Sequence, residues 1–433
     1  MTRSAPRAPG TPGPAGLPRL VPERITDYRA HLERHGPLPA ITKRSGRQEF
    51  IAAVQRSGLR GRGGGAFPTG TKLRAVADGR RGAIVVANGA EGEPASRKDA
   101  TLLAAAPHLV LDGAFVAADA VGADEIYVVV GRANRGGYDA ISAAITERSA
   151  RSSRPVRLAT VPDRYVAGEE SALVHVLNGG EAKPIFVPPR PYERGVRNRP
   201  TLIQNVETLA NLALIARYGD AWYRALGTSD EPGSVLVTIG GVVRSPGVFE
   251  FALGTPLPAV LDAAGGATVP LSAVLVGGYF GAWIPAAALP NLTLTHGSLK
   301  ANGGTLGCGL VAAFPAARCG VVESARIARY LAEETAGQCG PCVHGLAAVA
   351  DLMDTIAHER TGPGAHDTLV RWLGDIEHRG ACHLPDAAVG FLRSALSVFA
   401  DEFVSHRNGT CTATDPNPVL PIPEGPTRDW SWQ

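Results

Sequence analysis

Short apolar runs and longer amphipathic stretches alternate through the first half of the chain. Ala83-Ile-Val-Val-Ala87 and Glu125-Ile-Tyr-Val-Val-Val130 are bounded by polar turns and read as buried strands. Residues 104–120 are apolar on almost every face, which predicts a buried helix. Helical patterns also cover 23–35, 48–56 and 138–148. Strands alternating with helices predict an α/β sandwich with a largely parallel sheet, whose ligands bind at the strand C-termini. The pattern changes near 219–232. Residues 234–243 and 247–251 read as a hairpin, 257–264 as a short helix and 273–276 as a strand, which together suggest a small β-grasp domain. From 324 the helical period returns, at 324–335, 345–359, 367–378 and 386–406, predicting a four-helix bundle. The division is a disordered Pro/Gly/Ala-rich tail at 1–22, an α/β domain at 23–230, the β-grasp domain at 231–310, the bundle at 311–410 and a loose Pro-rich tail at 411–433.

Composition narrows the class. A chain of 433 residues, 45% hydrophobic and 19% charged, has enough apolar material for several cores. A net charge of +3, thinly spread, gives no case for nucleic acid. No apolar run is long enough for a direct membrane span, and the N-terminus lacks the apolar region of a signal peptide, so a cytoplasmic location is expected. Six cysteines are too few for a disulfide scaffold in a chain this long, so clustered ones point to metal or redox chemistry.

Five stretches carry candidate chemistry. Residues 57–72 hold glycines at 58, 61, 63, 64, 65 and 70 beside Arg60, Arg62 and Lys72. Such a backbone can curl its N–H groups around an anion, and phosphate is the natural guest. The spacing is neither a P-loop nor a dinucleotide fingerprint. Asn88-Gly-Ala-Glu-Gly-Glu-Pro-Ala-Ser-Arg-Lys-Asp99 gathers polar groups after a strand and suits a ribityl chain or sugar; a solvated loop is the plainer alternative. Tyr165-Val-Ala-Gly-Glu-Glu-Ser171 sets two carboxylates beside a tyrosine, as hydroxyl ligands or as helix caps. Gln204 and Asn205 offer amides before an apolar helix, where capping would serve as well. Cys339-Gly-Pro-Cys342, with Cys382 downstream, can ligate an iron–sulfur cluster, or zinc with His344 or His383, or act as a redox pair. Cys308, Cys319 and Cys411 lack such spacing and read as structural.

In this order the five stretches resemble the NADH-binding FMN flavoprotein subunit of respiratory complex I, with its relatives in NAD-linked hydrogenases and formate dehydrogenases. That family has a glycine loop ending in Gly-Phe-Pro-Thr-Gly-x-Lys, then Asn-x-x-Glu-x-Glu-Pro, Tyr-x-x-Gly-Glu-Glu and Asn-Asn-Val-Glu-Thr stretches. A β-grasp (SLBB-like) domain and a helical bundle holding a [4Fe–4S] cluster complete it. The match runs over about 25–407. A more distant cousin, the Rnf-type electron-transport protein, has ferredoxin-like cysteine runs absent here.

The resemblance implies that Gly61, Gly63, Gly64, Lys72, Asn88, Glu91 and Glu93 surround FMN and the nicotinamide. Tyr165, Glu169 and Glu170 would line the same cleft, Gln204, Asn205 and Thr208 would lie near the flavin, and Phe67 would offer an aromatic face. No side chain need act as general acid. Cys339, Cys342 and Cys382 match cluster ligands, but the first cysteine of the family motif is Ala336, so a labile, incompletely ligated cluster is expected; Cys308 is a conceivable replacement. Gly64-Gly65-Ala66-Phe67 swaps one Gly/Ala pair of the family loop, Ala90 stands for an aspartate, and Ala75 and Arg190 stand for two adenine-flanking aromatics. Weaker NADH binding is then expected, and Arg190 could instead meet the 2′-phosphate of NADPH. The implied function is an FMN-dependent NAD(P)H:acceptor oxidoreductase passing single electrons through the cluster to a ferredoxin-like or small redox subunit. The alternatives are an electron-transfer subunit that no longer oxidises a dinucleotide, and an assembly subunit without cofactors.

Overall fold

The computed structural model describes residues 16–21, 24–41, 43–79, 82–149, 154–358, 361–411, 413–423 and 431–433. Four parallel strands form the first sheet: β1 (Ala83–Gly89), β2 (Ala123–Gly131), β3 (Val156–Val161) and β4 (Thr201–Asn205), in the order β3-β2-β1-β4. Burial on both faces explains why β1 and β2 are unbroken apolar runs. The C-terminal ends of β1 and β4 lie side by side, with Asn88 opposite Asn205. Neither β3 nor β4 was expected. β3 is an edge strand, partly exposed, and β4 is too short to show a period before its helix begins.

The apolar helix expected at 104–120 is Pro107–Val121, and a separate helix not expected, Lys98–Ala105, precedes it at a bend of 96°. Pro107 supplies no N–H and begins a new helix instead of continuing the first. The second helix is buried along nearly its whole length and crosses Val206–Arg224 closely. Asp112 is tolerated inside it because His31 bonds its carboxylate at 2.7 Å, with Arg148 and Arg217 also paired to it. Among the described residues no single helix is long and apolar enough to cross a membrane.

The second sheet comprises β5 (Ser234–Gly241), β6 (Gly247–Ala252), β7 (Leu271–Val276), β8 (Ala282–Pro285) and β9 (Leu310–Pro315), in the order β6-β5-β9-β7-β8. The expected hairpin is β5–β6, and β9 inserts parallel to β5. The helical region follows, as Gly320–Glu333, Ala347–His358, Pro363–Ile376, Leu384–Val398 and Ala400–Arg407. Among the described residues it has five α-helices where four were expected, because the last breaks at Phe399, whose ring packs against Trp283 and Phe314.

Both tails differ from expectation. Residues 1–15, 22 and 23 lie outside the described ones, but Arg19 and Leu20 are buried, and Glu250 accepts from their backbone N–H groups at 2.6 and 2.8 Å. At the other end residues 412 and 424–430 lie outside the described ones, but Leu420 is buried, Glu323 accepts from its N–H at 2.7 Å, and Tyr279 donates to the Pro421 carbonyl. Proline forbids regular structure there without forbidding packing.

Gly113 shows how tight the helix crossing is, since a Cβ there would lie 1.9 Å from the Leu209 carbonyl oxygen. Gly113→Ala should therefore cost about 1–3 kcal/mol in chemical denaturation. Gly136→Ala, where a Cβ meets nothing within 4 Å, should be neutral or slightly stabilising.

Candidate functional site

A cleft of about 430 Å³ opens at the C-terminal ends of β1 and β4. Gly63 and Gly64 from the glycine loop form one wall, Asn88, Glu91 and Glu93 another, and Tyr165, Glu169 and Asn205 also line it. Thus eight of the expected residues share one cavity. The remainder stand around it. Gly61 donates to the Phe67 carbonyl at 2.9 Å and closes the loop. Thr208 accepts from the Arg62 N–H at 2.9 Å and ties the loop to the following helix. Lys72 pairs with Glu170, so these two neutralise each other outside the cavity lining. Gln204 is buried in β4, and its Nε2 has no partner among the described residues. Phe67 is 56% exposed. Ala75 belongs to a separate hollow with Tyr192, Glu193 and Arg194, and Arg190 is exposed.

Sequence reasoning missed the wall supplied by the second sheet. Gly277, Phe280, Thr305, Gly307 and Cys308 face the cleft. The hint was the glycine density at 277, 278, 281, 303, 304, 307 and 309, which a β-grasp reading does not explain. The close approach requires it: a Cβ on Gly278 would lie 2.5 Å from Glu93 Oε2 and 2.8 Å from Cys308 Sγ. Lys98 and Asp99, part of the polar stretch but not singled out, also line the cleft.

Burial raises both glutamates of the acidic stretch. Burial pushes the Glu93 carboxyl up to about 7, against hydrogen bonds from the Tyr279 N–H and the Tyr165 hydroxyl, both at 2.7 Å. Burial, and then neighbouring Glu93, raises the Tyr165 phenol as well, so the hydroxyl remains a donor. Glu91 is raised by burial and by Asp99, while its oxygens accept from the N–H groups of Asp99 and Ala100 at 3.2 and 3.1 Å. Burial depresses the Lys98 ammonium, but Asp99, Glu207 and Glu91 outweigh it and hold the group charged.

Cys339, Cys342 and Cys382 are mutual neighbours. Burial, then Cys339 and Cys382, pushes the Cys342 thiol up to about 12, and the Thr335 hydroxyl bonds it. A cluster of iron would replace these protons, since thiolates are the ligands. Ala336 occupies the remaining motif position, with a methyl group that cannot ligate. Cys308 lies among Glu93, Lys98 and Glu91 and points its thiol at the Gly277 carbonyl at 3.5 Å. Cys382 and His383 themselves line the cleft, so the thiol group and the cavity share a wall.

The donor set fits a flavin mononucleotide. The glycine loop presents backbone N–H groups beside cations, Gly64 has φ +105°, and the unpartnered Gln204 amide lies in the strand that ends at the cleft.

Residues 54–214 match the family model of the Nuo51 FMN-binding domain, 236–278 that of the SLBB domain, and 323–406 that of the NADH-ubiquinone oxidoreductase-F iron-sulfur binding region. The chain is 32% identical to the second form of the NADH-quinone oxidoreductase F subunit of Rhizobium meliloti, over 83% of this chain and 88% of that protein. It is 31% identical to the NADH-quinone oxidoreductase F subunit of Mycobacterium tuberculosis, over 87% and 88%. Among solved structures it resembles NAD+-reducing [NiFe]-hydrogenase in the H2-reduced state, with TM-score 0.78 and 31% identity over 83% of this chain. It spans about 63% of that hydrogenase chain.

Two outcomes follow from the geometry. Gly64→Val places a branched side chain at a φ that such residues rarely adopt, and its Cβ has only Gly307 near, at 3.9 Å, so the substituent enters the cleft. FMN affinity, measured by fluorescence quenching on adding flavin to the apoprotein, should fall at least tenfold, about 1.4 kcal/mol. For Glu93, the folded value is raised above the ordinary 4.5, so the folded chain keeps a proton that the unfolded chain has lost between pH 4.5 and 7. Its contribution to apoprotein stability therefore declines as pH rises through that window. Glu93→Gln should gain stability relative to the parent between pH 5 and 8, by roughly 3 kcal/mol, in paired urea denaturations.

Proposed function

The chain belongs to the family of NADH-quinone oxidoreductase F subunits, and on that premise we propose that it is an FMN- and iron–sulfur-dependent NAD(P)H:acceptor oxidoreductase, acting as an electron-input module. The observation that carries the reading is the shared wall: Cys382, one of three gathered thiols, lines the same cleft as Gly64, Asn88, Glu93 and Tyr165. Residues suited to a flavin and residues suited to a cluster thus meet directly.

Bound in the cleft, FMN supplies hydride acceptance and release of single electrons. The remaining work falls to the chain. In this reading the N–H groups of Gly63 and Gly64 hold the phosphate, Gly61 keeps the loop closed through the Phe67 carbonyl, and Arg62 adds positive charge nearby, while Lys72 stays paired with Glu170. Asn88, Glu91, Gln204, Asn205 and Thr208 position the flavin, and Phe67 offers its exposed ring to the nucleotide. Glu93 accepts from the Tyr165 hydroxyl, and burial raises its carboxyl to about 7, so charge beside the flavin is adjustable without a dedicated acid. Glu169 caps the helix Glu170–Leu177, accepting from the Ala172 N–H at 3.1 Å, and fixes the loop carrying Tyr165. Cys339, Cys342 and Cys382 hold the cluster, leaving one iron for a non-cysteine group. Its partner in this reading is a ferredoxin-like or small redox subunit in the cytoplasm.

A second reading, electron exchange between proteins with no dinucleotide, draws on Ala75 and Arg190 replacing two aromatic residues. Anaerobic mixing with NADH and with NADPH separates the readings. Bleaching of the flavin by either coenzyme supports oxidoreductase activity, and the faster coenzyme shows which is preferred. A flavin reduced by dithionite but by neither coenzyme rejects it.

The cluster has its own test. Aerobically purified protein should carry fewer than four irons per flavin, and Ala336→Cys should raise iron and acid-labile sulfide and make the cluster resist chelator. A parent chain that already holds a chelator-resistant four-iron cluster overturns the three-ligand assignment.

A further inference from the structure

Away from the cleft, three ligand atoms converge at the base of the helical region. Cys319 Sγ, a His406 ring nitrogen and Cys411 Sγ all lie within 4.8 Å of one another. None belongs to the iron–sulfur motif. Cys319 is the N-cap of Gly320–Glu333, and its sulfur accepts from the Val322 N–H at 3.4 Å, while burial raises the thiol. His406 lies in the last turn of Ala400–Arg407 and points Nε2 at Cys319 Sγ, 3.1 Å away. The His406 ring also bonds the backbone of Ile356 and Ala357, which holds it in place. Gly409, at φ +75°, then turns the chain so that Cys411 comes back beside the imidazole. Glu402, one helical turn before His406, accepts from the Gly320 N–H at 2.6 Å and from the Cys319 thiol.

We infer that Cys319, His406 and Cys411 form a structural zinc site, with Glu402 or a water in the fourth position. Two thiolates and an imidazole are a soft set that suits zinc over calcium or magnesium. Binding replaces the two thiol protons with the metal, with no change in oxidation state. The disposition explains what such a site would do. Beyond Cys411 the chain runs back along the protein: the N–H groups of Thr414 and Asp415 donate to the Ala317 carbonyl at 3.0 and 3.2 Å, and Arg318 pairs with Asp415 at 2.6 Å. Zinc would therefore staple the C-terminal segment to the residues just before the bundle's first helix.

The test uses the full chain, expressed with added zinc and purified without chelator, with metal measured by mass spectrometry. Stoichiometric zinc in the parent is expected. Cys411→Ser, at an exposed position, should lose at least tenfold in zinc content while retaining flavin and iron. Limited proteolysis should then release the C-terminal segment faster than in the parent. Cys339→Ser should keep its zinc, which separates this site from the iron–sulfur motif. Cobalt added to zinc-free protein should give thiolate-to-metal absorption in the parent and not in Cys411→Ser. A parent chain without zinc, zinc that leaves with Cys339→Ser instead of Cys411→Ser, or a Cys319–Cys411 disulfide recovered from non-reduced protein would overturn the assignment.

Discussion

Lys98 is the charge on which the arrangement of the first two domains depends. It is 2% exposed, and a buried ammonium without partners is among the costliest groups a fold can hold. It is satisfied only when Asp99 at 2.7 Å, Glu207 at 3.1 Å and Asn205 at 3.4 Å converge on it. Those residues come from the start of one helix and from the strand–helix junction after β4. Glu207 also accepts from the Leu236 N–H at 2.9 Å in β5, and Arg62 of the glycine loop donates to the Ser234 carbonyl at 2.9 Å and the Tyr223 hydroxyl at 3.1 Å. One buried ionic group thus joins the glycine loop, the end of the first sheet and the start of the second. Loss of any single partner would strand a charge, so the group acts as a registration device more than as a source of net stability.

The helical region is tied in by a second buried carboxylate. Glu334, which opens the cysteine motif, accepts from Arg164 Nε and from the Tyr165 N–H, both at 2.8 Å. Tyr165 is therefore held at both ends, by Glu334 at its backbone and by Glu93 at its hydroxyl. The loop that lines the cleft and the segment that presents the thiols cannot move independently without breaking a buried hydrogen bond. Electron transfer between two centres depends on a fixed separation, and these bonds provide the fixing. The tilted contact of Tyr165 with Phe280, centroids 4.5 Å apart, extends the brace to the second sheet.

Much of the site was legible because its chemistry is local. The glycine loop, the acidic stretch after β1 and the tyrosine–glutamate stretch each lie within sixteen residues, and each reaches the cleft. Lys72 and Glu170 were also visible, but nothing local indicated that they would pair with each other. The wall from the second sheet was hidden for a related reason. Glycines are informative only where something approaches them, and what approaches Gly278 is Glu93, 185 positions earlier.

The sequence by itself determined the two sheet-forming regions, the helical end and the order of the cofactor-class motifs, since hydrophobic period and local residue type carry that information. It did not determine β3, β4, β8 or β9, whose runs are short and take their identity from a neighbouring strand. It did not place Cys308 in the cleft or bring Cys319 to His406 and Cys411, because sulfur has no period and long separations leave no local trace. It also made the C-terminal prolines look like a loose end, whereas burial of Leu420 and the carboxylate of Glu323 hold that segment down. Only the folded chain decides such matters, since burying a charge or an apolar side chain depends on which distant groups arrive to satisfy it.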